Sequence, residues 1–69
     1  MTVYTITLRN PGFGSYDVTL DAAGIVAARA AATRLRDEAG KDWDAVLYRV
    51  DGSGALEYVV TRTAKGWRW

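Results

Sequence analysis

Residues 21–39 read DAAGIVAARAAATRLRDEA, and the fold turns on how this stretch is placed. It has no proline and is rich in alanine, with three arginines and Leu35, all good helix formers. Steps of about 100° per residue put Ile25, Ala28, Ala31, Ala32, Leu35 and Ala39 on one stripe. Asp21 is expected as the N-cap, with Leu20 and Ile25 as a hydrophobic staple. Gly40 suits the left-handed residue that closes a helix. The stripe is mostly methyl groups, so the helix can lie close to the layer beneath, and that layer must bring the bulk. Gly24 costs about 1 kcal/mol of helix propensity relative to alanine, and a close approach to a large side chain is the expected compensation. Val26, Ala30, Thr33 and Asp37 fall on the outer side. Arg29 and Arg36 line one flank, and Arg34 with Glu38 the other.

On either side of this helix the pattern changes to strands. Residues 2–9, TVYTITLR, alternate, with Tyr4, Ile6 and Leu8 on one side. NPGFG at 10–14 is a turn cluster, and SYDVTL at 15–20 alternates again. Pairing Leu8 with Tyr16 and Ile6 with Val18 keeps the apolar sets together. After the helix, WDAVLYRVD at 43–51 and ALEYVVTRT at 55–63 flank a Gly52–Gly54 loop. That loop sets Val50 opposite Leu56, Arg49 opposite Glu57, Tyr48 opposite Tyr58 and Val46 opposite Val60. A Lys65-Gly66 turn then leads to Trp67-Arg68-Trp69, with Arg62 beside Trp69 and both indoles on the helix side. The reading is one α+β domain, residues 1–69, in the order ββαβββ: an antiparallel sheet with one helix across one face. The order of strands between the two hairpins does not follow from local turns. The expected packing sets the alanine helix against Tyr4, Tyr16, Tyr48, Tyr58, Trp67 and Trp69. The uncovered face is expected to carry Val3, Thr5, Thr7, Arg9, Asp17, Thr19, Leu47, Arg49, Glu57, Val59, Thr61 and Arg68.

At 69 residues the chain is near the lower limit for an unaided core. It has no cysteine and no histidine, so thiolate chemistry and the commonest general base and metal ligand are absent. Asp37, Glu38, Asp42 and Asp44 gather near the helix end without the spacing of a calcium loop, and read best as a solvated acidic surface. Ser15 and Ser53 stand in or beside turns with nothing to activate them. The expectation is therefore a non-enzymatic protein without cofactor or metal. No apolar run approaches the roughly 20 residues of a membrane span, and no signal peptide is visible. These features and the absence of cysteine fit a cytoplasmic protein.

Net charge is only +1, but its distribution is uneven. After Glu57 no acid remains, while Arg62, Lys65 and Arg68 alternate with Trp67 and Trp69. Arg9 and Arg49 are expected on the same open face as Arg68. Basic groups among aromatic rings can bind phosphate backbones or stack on bases. The plainer alternative is that the indoles cap the core and the arginines keep an edge strand soluble. Arg29 and Arg36 give a second basic surface on the helix. Self-association through the Trp67–Trp69 edge is a third reading, and oligomeric state stays open.

The helix AAGIVAARAAATRL, the hairpin AVLYRVDGSGALEYVV and the closing KGWRW together resemble a family of small phage anti-CRISPR proteins. That family inhibits type I-F systems and is built from a five-stranded antiparallel sheet and one helix. The similarity is of pattern over most of the chain. It implies a stoichiometric inhibitor in a bacterial host. Such a protein docks on the backbone subunits of a crRNA-guided complex and blocks the track that receives target DNA. The candidate partner-binding residues are Arg9, Arg49, Arg62, Lys65, Arg68, Arg29 and Arg36. A nucleic-acid-binding accessory module is the alternative.

Overall fold

The computed structural model describes residues 1–69. Its elements are β1 (Thr2–Asn10), β2 (Gly14–Ala22), α1 (Ile25–Ala39), β3 (Asp44–Val50), β4 (Leu56–Thr63) and β5 (Gly66–Arg68). The strands form one antiparallel sheet in the order β2-β1-β3-β4-β5, with α1 packed on one face. The α+β, ββαβββ reading therefore holds. No helix is long and apolar enough to cross a membrane. Because β1 is antiparallel to both β2 and β3, those two run the same way, and α1 is the crossover between them. Nine residues of β2 advance about 30 Å. Fifteen residues of helix return about 22 Å, so a single helix nearly retraces the strand.

The first hairpin has the expected register, Leu8 with Tyr16 and Ile6 with Val18, and continues to Thr2 with Ala22. This extension corrects the helix start. Asp21 and Ala22 pair with Val3 and Thr2, so their backbone groups belong to the ladder. Asp21 is thus not the N-cap. That position falls to Gly24, whose extended backbone makes no side-chain cap bond. Nothing lies within 4 Å of where a Gly24 Cβ would stand, so the expected close approach is absent. Ile25 leaves the buried stripe and is 41% exposed. The sealed side of the helix is instead Ala28, Ala32 and Arg36, with Ala31, Leu35 and Ala39 alongside.

β3 has the opposite pleat from the expected one. Pairing with β1 sets Ala45 opposite Leu8 and Leu47 opposite Ile6, so both lie beneath the helix. Leu47, assigned by pattern to the open face, is completely buried in the core. Tyr48 and Tyr58, assigned to the core, turn outward and meet edge to face at 6.1 Å. Each alternation of β3 combines apolar residues with one charge, Asp44 or Arg49, so periodicity could not choose between them. The choice that wins places the small Ala45 under the helix and lets the methyl stripe approach.

The second hairpin keeps the expected register from Val50–Leu56 through Tyr48–Tyr58, then shifts by one. Leu47, not Val46, pairs with Val60, and Val59 is the extra residue of a β-bulge. Without the bulge Val60 would share the outward side of Tyr58; with it Val60 joins Leu47 in the core. The last turn is also displaced: Ala64-Lys65 form the loop, and Arg62 pairs with Trp67 rather than Trp69. The floor under the alanines is accordingly aliphatic. Ile6, Leu8, Leu47 and Val60 are its largest sealed side chains, and Tyr4 is its one fully buried ring.

Candidate binding surface

The face opposite the helix has no second layer. Strand parity puts Thr5, Thr7, Arg9, Asp17, Thr19, Val46, Tyr48, Tyr58, Thr61 and Arg68 on it. At the centre of this face the side chains are small and shield one another, so Thr5, Val46 and Thr61 are buried without any cover. The rim is different. Arg9 and Arg68 line one groove of about 310 Å³ together with Asp44, Tyr58, Thr61 and Trp69. A neighbouring depression of about 470 Å³ shares Arg9 and Asp44 and runs toward Pro11 and Ser15. The two lie on either side of Arg9 and Asp44 at one end of the sheet.

The groove is held by a side-chain clasp. The Tyr58 hydroxyl donates to the Arg68 carbonyl at 3.0 Å and shares a hydrogen bond with Thr61 Oγ1 at 2.8 Å. These bonds fix the short β5 against β4 and hold Arg68 at the groove wall. Arg9 stands opposite Asp44 in the ladder, yet the molecule's ion pairs are Arg36–Asp37 and Arg49–Glu57 only. The Arg9 and Arg68 guanidiniums therefore remain free to meet an incoming group.

The other sequence-predicted residues disperse. Arg49 is on the helix side, not the open face, and bonds Glu57 at 2.9 Å. The hydrogen bond and charge of Glu57 hold its pKa above the usual arginine value. Lys65 is exposed in the β4–β5 turn. Arg29 stacks on Trp67 at 4.4 Å and lies 5.6 Å from Trp69, and Arg62 reaches Trp67 at 5.6 Å. Arg62 Nη1 also donates to its neighbour, the Thr63 carbonyl, at 2.7 Å. These two cations and the indoles form a second basic and aromatic cluster, around the edge from Arg9 and Arg68. Trp69 is 79% exposed and borders both.

Arg36 is not a surface group. It is 7% exposed, and its guanidinium donates to the Trp43 carbonyl at 2.9 Å and the Lys41 carbonyl at 2.8 Å. It ties the helix C-terminus to the connection entering β3, where Gly40 adopts a φ of 135°. A Cβ at Gly40 would also stand 3.4 Å from Trp43 Cδ1. Helical steps of about 100° place Arg36 on a flank of the apolar stripe; the loop carbonyls of Lys41 and Trp43 draw it into the fold.

Asp44 and Tyr58 are the groove residues that pattern reading missed. The signal for both was the pleat of β3, since its reversal brings Tyr58 and Asp44 to the face of Arg9 and Arg68. Sequence reading also missed an aromatic cluster at the hairpin tip, where Phe13 stacks on Trp43 at 6.5 Å and Tyr16 meets it edge-on at 5.6 Å. The carboxylates near the helix end do not assemble into a group able to hold a metal. No family model, curated protein or solved structure matches the chain.

Proposed function

We propose that this chain is a non-enzymatic binding protein that docks on a protein partner through the rim of its open sheet face. The observation that carries this reading is the pair of unneutralised guanidiniums, Arg9 and Arg68, in one groove beside Trp69. Arginine and aromatic side chains are the residue types that dominate binding energy at protein interfaces. The face also carries Asp44 and Asp17, so its charge is mixed. Mixed charge complements a protein surface better than a phosphate polyanion, which favours cations alone. The resemblance described above specifies the partner: the backbone subunits of a type I crRNA-guided complex in a bacterial host, bound so that target DNA is excluded.

Pull-down with purified type I complexes tests this. The expected result is association that falls at least tenfold in the double variant Arg9→Glu, Arg68→Glu, with Arg34→Glu unchanged. Absence of association with every type I complex sinks the inhibitor reading. Association indifferent to the double variant moves the interface off this face. A nucleic-acid accessory role is the second reading, favoured by Trp69 and Tyr58 lining the same groove as the arginines. It requires a gel shift at about 50 mM salt that weakens steeply as salt rises.

A further inference from the structure

The two edges of the sheet are guarded very differently. β5 covers only Thr61–Thr63 of β4, and the rest of that edge, residues 56–60, is short and broken by the bulge at Val59. β2 forms the other edge with nine residues, GSYDVTLDA, and pairs only with β1. Natural edges of that length are normally blunted by lysine, proline or a bulge. β2 has no lysine, proline or bulge; its only charges are Asp17 and Asp21, which guard it against acidic strands and not against basic ones. Its outward backbone groups are therefore available to a further strand.

The side chains along this edge sort by face. Val18, Leu20 and Ala22 point to the helix side, while Asp17, Thr19 and Asp21 point to the open side. On the helix side a groove of about 510 Å³ runs beside the edge; Met1, Leu20, Ala27, Ala30 and Ala31 make it mostly apolar, and Asp21 and Arg34 also line it. Of these alanines, Ala27 and Ala30 are exposed and Ala31 is half-buried against the core.

We propose that β2 is a docking edge for an extended segment of a partner protein in which apolar and basic residues alternate. Such a segment adds a sixth strand. Its main chain completes the β2 ladder, its apolar side chains enter the groove, and its cations face Asp17 and Asp21. Charge decides the occupant. A second copy of this chain paired through β2 would bring four aspartates and no basic group to one face, because β2 contains no lysine or arginine. Like charges set across a strand pair are destabilising, so self-pairing is opposed where a basic strand is attracted. The inference does not rest on the Arg9–Arg68 groove, whose lining residues its variants leave unchanged; Ala27→Glu lies on the helix and leaves the whole open face unchanged.

The test uses the full chain and three nine-residue probe peptides: alternating lysine–valine, alternating glutamate–valine, and a lysine–valine peptide of the same composition in two blocks. Amide chemical shifts follow each titration. Saturable binding of the alternating lysine peptide is expected, with the largest shifts in residues 14–22 and along Ala27–Ala31. Binding by the block peptide should be at least tenfold weaker. The variant Asp17→Lys, Asp21→Lys should reverse the preference, losing the lysine peptide at least tenfold and gaining the glutamate peptide. A second variant, Ala27→Glu, fills the groove without touching the edge and should also weaken binding. Retention of the wild-type amide spectrum away from each substitution shows that the variants fold. No saturable binding, equal affinity for the block peptide, or a preference unchanged by charge reversal overturns the proposal. So does a dimer in which the β2 amides are protected, which would make the occupant a second copy.

Discussion

Beneath the helix, Ile6, Leu8, Leu47 and Val60 are sealed from solvent, while the same strands turn Thr5, Val46, Tyr48, Tyr58 and Thr61 to the other face. The first face is closed by packing an alanine stripe onto aliphatic side chains. The second is closed only at its centre, where small side chains shelter between their neighbours, and it opens at the rim. Stability is therefore concentrated on one side of a single sheet, and the open groove with its free guanidiniums lies on the other. The difference also explains why the arginines divide. Arg36 faces the covered side and completes the fold, whereas Arg9 and Arg68 face the uncovered side and bond nothing charged.

The sharpest way to break this contrast is to remove comparable bulk from adjacent β3 positions. Leu47→Ala leaves a cavity in the core and should lower stability by about 2–5 kcal/mol in urea unfolding. Val46→Ala, one residue away and equally low in exposure, should cost roughly 1 kcal/mol because no second layer packs on it. Equal losses would mean that the open face is as firmly packed as the covered one.

A smaller effect separates the arginines. Arg36→Ala leaves the carbonyls of Lys41 and Trp43 without their donor and should cost about 2–3 kcal/mol. Arg36→Lys should recover little, since a single ammonium cannot reproduce the planar fork. Arg68→Ala should stay within about 0.5 kcal/mol while weakening partner binding. Thermal unfolding of the three variants reads the stability differences, and the pull-down reads the binding of Arg68→Ala.

The smallest effect belongs to the loop that joins β3 to β4. Asp51 accepts hydrogen bonds from the Ser53 hydroxyl at 2.6 Å, the Ser53 N–H at 2.8 Å and the Ala55 N–H at 3.0 Å. These hold its pKa below the usual 3.8. A depressed folded-state value means that the carboxylate's contribution is complete above the unfolded pKa and is lost as pH falls through the folded one. Wild type and Asp51→Ala should therefore differ in Tm at neutral pH, and the gap should close below about pH 3.8. A gap independent of pH would assign the effect to the loop's backbone instead.

Local chemistry alone determined much of this protein. The alanine stripe, the turn at 10–14 and the glycine loop at 52–54 specified one helix, two hairpins and their registers near each turn. Those features depend on residues a few positions apart, where capping, glycine conformations and cross-strand charge act directly. The tertiary structure decided what needs a distant neighbour. β1 chose which side of β3 faces the core, the bulge at Val59 carried Val60 back under the helix, and pairing with Val3 and Thr2 delayed the helix until Ile25. The first follows from a register between strands far apart in the chain, and the other two from hairpin pairing well beyond the turn residues. A one-residue change in such a register exchanges the two faces without altering any local propensity. That exchange is why Asp44 and Tyr58 join Arg9 and Arg68, and why Arg49 does not.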